Sequence, residues 1–544
     1  MYIKIYILLL LGVRSLLAVP VYTANKQLNL SASCTERSCS LWWLSEDKAE
    51  PLRYTGVPAM HLEELLLGSC RIRALPVELL RLTPNLRNLQ VYNSSIYRMP
   101  IKDWSLLPKL QTLTFEHQRM ARLDKDDFQA LQQLEILQLG YNELNNVHMN
   151  AFAGLKRLKL LALPANGLEE INPQTFDELV ELTHLDLSHN RLASIDGELF
   201  EHNSNLQSLL LNDNKLESEH LLLPTLTQLR LLDISNSGDL TELQLNSAHT
   251  VIVERSNVQR LIIHGSVIKL QAGNNALTQL SIGDKSAVIE LDLHNNLLDS
   301  NASSALLTDM WQLRHLDLSS NNIETLASNS SISLYLPSLR YLNLAHNKLR
   351  ALPPALPILP SSLVHLDISY NHLLQLYSRN FAALPNLEHL NIAGTRLDKF
   401  YYQRFQRDHY VLKELVICEA DVSSSQFDNM LFHFDNFFRG KLITSCNSTV
   451  QMPKQLPLEV SGIHPYWTTK DVLALITLIV CFGILLLQIY RILEDEGCLR
   501  RLRRRFGRPR RSHRGMATAR DALLTRTLKV PVINIVSNNW SKGY

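Results

Sequence analysis

Leucine and its aliphatic relatives fall on a fixed grid along this chain. From Leu62 the pattern L-x-x-L-x-L-x-x-N-x-L restarts at Leu86, Leu110, Leu134, Leu158, Leu182 and Leu206, each 24 residues after the last. A period of this length marks a stacked array, because one short unit cannot bury its own apolar face and gains a core only from its neighbours. Successive residues of a strand face opposite ways, so the leucines at positions four and six point inward. Positions three, five, seven and eight are left for a solvent-facing surface. Less regular restarts follow at Leu229, Ala248, Val267, Val288, Leu313, Leu339, Leu363, Leu387 and Leu412, which brings the array to about 16 units between residues 62 and 436.

The ninth position must satisfy backbone groups where strand turns into loop. Nine units place asparagine there: Asn142, Asn166, Asn190, Asn214, Asn275, Asn296, Asn321, Asn347 and Asn371. A buried amide stabilises only when its donors and acceptor are used, so this ladder is expected to be hydrogen-bonded. Ten residues further on an aromatic recurs, at Trp104, Phe128, Phe152, Phe176, Phe200, Phe381 and Phe405, and reads as a second buried spine on the convex side. Between Leu229 and Val288 the step shortens to 19, 19 and 21 residues. Such units are too short for a helical return, so strand and turn are expected on both sides. Two readings stay open for this zone: a specialised docking surface, or drift tolerated because Leu, Val and Ile keep the inward positions.

Stretches such as LTHLDLSHNRLASIDGELF (182–200) and LRHLDLSSNNIETL (313–326) resemble leucine-rich repeats of the extracellular type, as in Toll-type and adhesion receptors. The resemblance implies an α/β fold: a leucine-rich repeat solenoid, or horseshoe, with a parallel concave sheet. To this the sequence adds one transmembrane helix. The same solenoid serves many functions, so the fold leaves the role open.

Charge and hydropathy at the two ends suggest where such a solenoid would sit. Lys4 precedes the apolar run Ile5 to Val13, which suits a signal peptide over residues 1–24. Residues 472–490 (VLALITLIVCFGILLLQIY) carry no formal charge and are long enough for one transmembrane helix, with Tyr466 and Trp467 as interfacial aromatics. Residues 491–544 hold 14 Lys and Arg against 4 Asp and Glu, whereas the first 490 hold 40 against 48. The overall charge of +2 hides this split. By the positive-inside rule the basic tail is expected on the cytoplasmic side, which makes a type I single-pass protein of the plasma membrane. The arginine run either meets anionic inner-leaflet lipids or acts as a stop-transfer signal. A nucleic-acid partner is not expected. The remaining boundaries are an N-terminal cap over 25–61, repeats over 62–436, and a C-terminal cap and stalk over 437–471.

Cysteines and sequons fit a secretory route. Cys70 falls at position nine of the first unit, where a thiol can replace the ladder asparagine, and is expected to be buried and reduced. That leaves two local pairs, Cys34 with Cys39 and Cys418 with Cys446, each closing one end of the solenoid. The four-cysteine flanking modules usual in the family are missing, so reduced caps are expected. Glycosylation sequons stand at Asn29, Asn93, Asn301, Asn329 and Asn447. Asn93 is an eighth-position residue at the exit of a concave strand, and a glycan there would push a concave ligand past the third repeat.

The candidate ligand-binding residues of the concave face are His184, Asp186, His189, His315, Asp317, His346, His365, Asp367, Tyr370 and His389. Histidine with aspartate is metal-ligand chemistry, but HLDLS is a common filling of this repeat and strands about 4.8 Å apart make rows rather than closed ligand sets. No metal and no cofactor is expected; a pH-sensitive face is the other reading. The sequence has no G-x-S-x-G elbow, P-loop, H-E-x-x-H or C-x-x-C, and its acids recur with the period, so it does not read as an enzyme. The 54-residue tail is too short for a TIR or kinase domain. The expected function is recognition or adhesion through the concave face, with an extracellular protein or a second copy on a neighbouring cell as partner. The alternative is an accessory or scaffold subunit that modulates or traffics a co-receptor in the same membrane.

Overall fold

The computed structural model describes residues 27–444, except 31–33, 36, 43, 45–52, 56–60, 73, 98–103, 326–335, 353–360, 378–380, 382–383, 396, 398, 403–409, 419–421 and 439. The expected signal peptide, transmembrane helix and basic tail lie outside these residues. Among the described residues no helix is long and apolar enough to cross a membrane.

Each unit start leads into a strand of one continuous parallel sheet. The sheet begins at a capping strand, Ser38–Trp42, which pairs with Glu64–Gly68. It then runs unit by unit, in register, for example His184–Asp186 beside Ser208–Leu210 and His365–Asp367 beside His389–Asn391. It closes with Glu414–Val416 against Lys441–Ile443. Equal positions of successive units are therefore strand neighbours and form columns across the sheet. The inward leucines are sealed: Leu185, Leu209 and Leu366 are at most 1% exposed. Each such burial stabilises by about 1.5–3 kcal/mol relative to exposure.

The ladder forms as the ninth-position pattern predicts. Asn190 donates through Nδ2 to the carbonyls of Leu163 and Leu187 and accepts from the Leu168 N–H, so its amide spans two units. Where the residue changes, the task is kept by other groups: Gln118 Nε2 donates to Val91 O, and Ser256 Oγ donates to Ile234 O while accepting from Ser237 N. Cys70 is reduced and buried, as expected, with its Sγ 3.4 Å from Gly68 O. Burial pushes its thiol up to about 11. On the opposite side the rings of Trp104, Phe128, Phe152, Phe176, Phe200 and Phe381 are fully buried. Phe128, Phe152 and Phe176 stack at 6.0 and 6.2 Å between centroids. Phe405 lies outside the described residues.

The short units build what their length allows. A second parallel sheet appears on the opposite side, with His220–Leu223 beside Glu242–Leu245, then Arg260–Gln271, then Gln279–Asp284. Arg260–Gln271 belongs to both sheets: residues 260–263 pair with Glu242–Leu245, and residues 267–271 pair with Ala248–Ile252 on the concave side. Helices are few among the described residues: Val77–Leu82, Ser300–Leu306 and Ser424–Phe437.

Cys34 and Cys39 form a disulfide ahead of the first repeat. Cys418 is also disulfide-bonded, while its expected partner Cys446 lies outside the described residues. Of the sequons, Asn93 is exposed at the end of a concave strand and Asn301 is exposed in the helix Ser300–Leu306 on the return side. Asn29 sits in the strand Gln27–Asn29, and Asn329 and Asn447 lie outside the described residues.

Candidate binding face

The eighth residue of every unit from Leu62 to Leu387 has a left-handed backbone, with φ between 47° at Asn93 and 69° at Gly394. There the chain leaves the strand, and its N–H reaches the next unit, as His189 N donates to Asn212 O at 2.8 Å and His346 N to Ser369 O at 2.9 Å. A non-glycine residue in this region costs about 1 kcal/mol or more, which these bonds offset. The turn carries side chains outward along one rim, and there rings pair: His117 with Tyr141 at 4.6 Å, and His346 with Tyr370 at 4.4 Å. Gly394 lies beneath Tyr370, where a Cβ would come within 2.4 Å of the ring. Also on this rim, His189 Nδ1 lies 3.3 Å from an Asp213 carboxylate oxygen.

Column three carries a run of rings closed at each end by a carboxylate. Lys269 pairs with Glu290 at 2.9 Å. Next come His315 and Tyr341, stacked at 4.1 Å, then His365 and His389, stacked at 4.1 Å with planes 4° apart. His389 Nδ1 reaches Glu414 at 3.2 Å. Burial holds His315 below the usual imidazole range, and burial together with the neighbouring His389 brings His365 down to about 4.

Column five carries Asp186, Asp233, Asp292, Asp317 and Asp367. Four of them cap their own strand exit through the serine two residues on: Asp186 Oδ1 accepts from Ser188 N and Oγ, and Ser235, Ser319 and Ser369 repeat this. This bond is the physical content of the HLDLS string. The second oxygen of Asp317 takes the Asn343 amide and that of Asp367 the Asn391 amide, both at 2.9 Å. Burial holds Asp317 and Asp367 above the ordinary carboxylate range. Burial pushes Asp292 the same way, but the His294 imidazole, 2.6 Å from its Oδ1, outweighs this and holds it low.

The ten candidate residues therefore divide. His184, His189, His346 and Tyr370 are exposed, and Asp186, His315, Asp317 and His389 are partly covered. His365 and Asp367 are each only 8% exposed, which corrects the expectation that positions three and five always face solvent. The His365 ring is flanked by the stacked His389 and the tilted Tyr341, and the Asp367 carboxylate is enclosed by Ser369 and Asn391. The paired face-to-face rings share a contact surface and do not converge on a point. His117, Asp213, Asp233, His294 and Tyr341 occupy the same grid positions without having been singled out. The grid alone would have found them, since each falls at position three, five, seven or eight of its unit.

The Leucine rich repeat family matches residues 108–168, 156–216 and 337–397, and a further match of the same kind covers 312–334. Among curated relatives, bovine lumican is 32% identical over 161 residues, which are 26% of this chain and 46% of lumican. Toll-like receptor 4 of the cat is 36% identical over 121 residues, 22% of this chain and 14% of that receptor. The chain thus spans less than half the length of these relatives. A leucine-rich repeat protein of Leptospira interrogans superposes with a TM-score of 0.51 at 22% identity, covering 70% of this chain and 90% of that one. The LRIM1/APL1C complex gives a TM-score of 0.51 at 19% identity, covering 87% and 77%. With its grid, ladder and continuous parallel sheet, the chain carries leucine-rich repeats and folds as a leucine-rich repeat solenoid.

Proposed function

We propose that this is a type I single-pass protein of the cell surface, which binds a protein ligand or a partner on a neighbouring cell through its concave face. The observation that supports this most is the rim and column geometry: in-register strands present exposed rings and carboxylates over many units. An extended surface with aromatic anchors suits a macromolecular partner. In this reading residues 1–24 direct secretion, residues 472–490 anchor the chain, and the arginine-rich tail lies at the inner leaflet.

Two cell populations carrying different dyes, one expressing the full chain and one not, test the reading in a mixing assay. Mixed clusters that disperse with Tyr370→Ala plus His389→Ala, and persist with Phe432→Ala on the helix Ser424–Phe437, support adhesion through the concave face. Clusters that ignore both variants place the contact elsewhere. A chain retained inside the cell until a second membrane protein is supplied turns the reading to the accessory subunit, for which the R-x-R runs of residues 501–505 speak.

A further inference from the structure

We propose that the concave face is the docking site of a basic protein, whose lysines and arginines lie over the field of its carboxylates. The proposal rests on the reading of this face as protein-binding and names the chemistry of the partner.

The fixed charge of the chain ahead of the basic tail is concentrated here. Among the described residues, positions three, five, seven and eight of the units hold eleven carboxylates. With the last capping strand included, the same face holds only three fixed cations, Arg255, Lys269 and Lys441. Its formal charge is therefore −8, the same as that of residues 1–490 as a whole, where 40 Lys and Arg stand against 48 Asp and Glu.

The column is built to hold this charge in place. Serine hydroxyls and asparagine amides fix the Asp317 and Asp367 carboxylates, and Asp292, Asp317 and Asp367 press on one another, so a cation brought alongside relieves repulsion. Two of the three cations are already paired or set apart: Lys269 with Glu290 inside column three, and Arg255 on the rim. A surface of one sign steers an oppositely charged partner and repels a like one. By the same argument two copies of this face oppose each other at −8 against −8, so a second copy does not dock face to face.

The test uses the purified full chain in detergent, titrated with a fluorescent 24-residue lysine–serine peptide and with its glutamate–serine counterpart. The expected result is binding of the lysine peptide alone, weakened about tenfold between low and near-physiological salt, as charges a Debye length apart become screened. Changing all five column-five aspartates to asparagine keeps the Oδ1 acceptor and is expected to weaken it about tenfold more. Changing Glu169, Glu170, Glu198, Glu201 and Glu217 to glutamine, all off this face, is expected to leave binding within about twofold. Because the five-asparagine variant can misfold, the pair Arg255→Glu and Lys269→Glu supplies the opposite sign: it adds charge to the face and is expected to tighten binding several-fold. Equal losses from the two neutralised sets, or no response to the charge-adding pair, overturn the proposal. If concave variants abolish cell clustering while these charge changes leave both clustering and peptide binding untouched, the protein-binding reading stands and the basic partner falls.

Discussion

Replacing Asn190 by alanine removes one rung of the ninth-position ladder, and the surrounding bonds set the size of the effect. Its amide donates to Leu163 O at 3.0 Å and Leu187 O at 2.9 Å, and accepts from Leu168 N at 3.2 Å. Neither carbonyl is stranded by the loss, because Leu163 O also takes the Asn166 amide and Leu187 O the Asn214 amide, each at 3.1 Å. The Leu168 N–H has no second acceptor among the described residues. One orphaned donor and two thinned bonds predict a destabilisation of about 2–3 kcal/mol. Removing Asn166 as well takes both donors from Leu163 O, so the double variant is expected to lose about 1 kcal/mol more than the two single losses added together. Asn190 with Asn347, which share no carbonyl, should add. The assay is a double-mutant cycle read from amide exchange of the peptides around Leu163 and Leu168, backed by urea unfolding. Additivity within about 0.3 kcal/mol at the 166/190 pair, or equal coupling at the 190/347 pair, refutes the redundancy argument.

Three further outcomes are expected. His365, brought down to about 4 by burial, binds its proton more weakly folded than unfolded. Its contribution is complete above the unfolded value near 6.5 and is lost as pH falls from there toward 4, on the order of 3 kcal/mol, so melting temperature should drop across that window and His365→Gln should flatten the drop. Asp317 and Asp367, held high, act in the opposite sense and soften the lower end of it. Cys70, its thiol raised to about 11, should resist iodoacetamide at pH 8 in the folded chain and react on denaturation; labelling of the native chain would contradict its burial. Gly394→Ala puts a Cβ against the Tyr370 ring at φ +69° and should cost about 1–3 kcal/mol, seen as a lowered melting point together with weaker clustering in the mixing assay.

The repeating core was readable because its causes are local and periodic. Leu185 and Leu209 sit where a 24-residue step places them, and Asn190 and Asn214 bond where the step demands. Even the second sheet followed from length, since units stepping by 19 residues have room only for a strand and turn, as Glu242–Leu245 shows. The face was only partly readable. Whether His365 is open or covered depends on how closely His389 and Tyr341 approach it across strands, which is set by register and ring rotamer and has no trace in the string HLD. Of the acidic column, Asp233 and Asp292 escaped for another reason: they lie in strands reading LLD and ELD, outside the HLD filling that marks Asp186, Asp317 and Asp367. The left-handed eighth residues gave no sequence signal, because hydrogen bonds from unit to unit let alanine, tyrosine and arginine occupy that conformation at Ala165, Tyr141 and Arg255.

The strand Arg260–Gln271 has a mechanical meaning. An array whose units touch only their neighbours unravels under tension one unit at a time from a free end. This strand keeps to adjacent units but ties the two sheets together, because it is stitched to Glu242–Leu245 and Gln279–Asp284 along its first part and to Ala248–Ile252 and Glu290–Asp292 along its second. No unit in this stretch can peel off without shearing both seams together. Pulled between its ends, the chain should give a sawtooth of small rips from its flanks and then a single larger one. The middle of the solenoid is thus a rivet, and load carried along the array would be borne there longest.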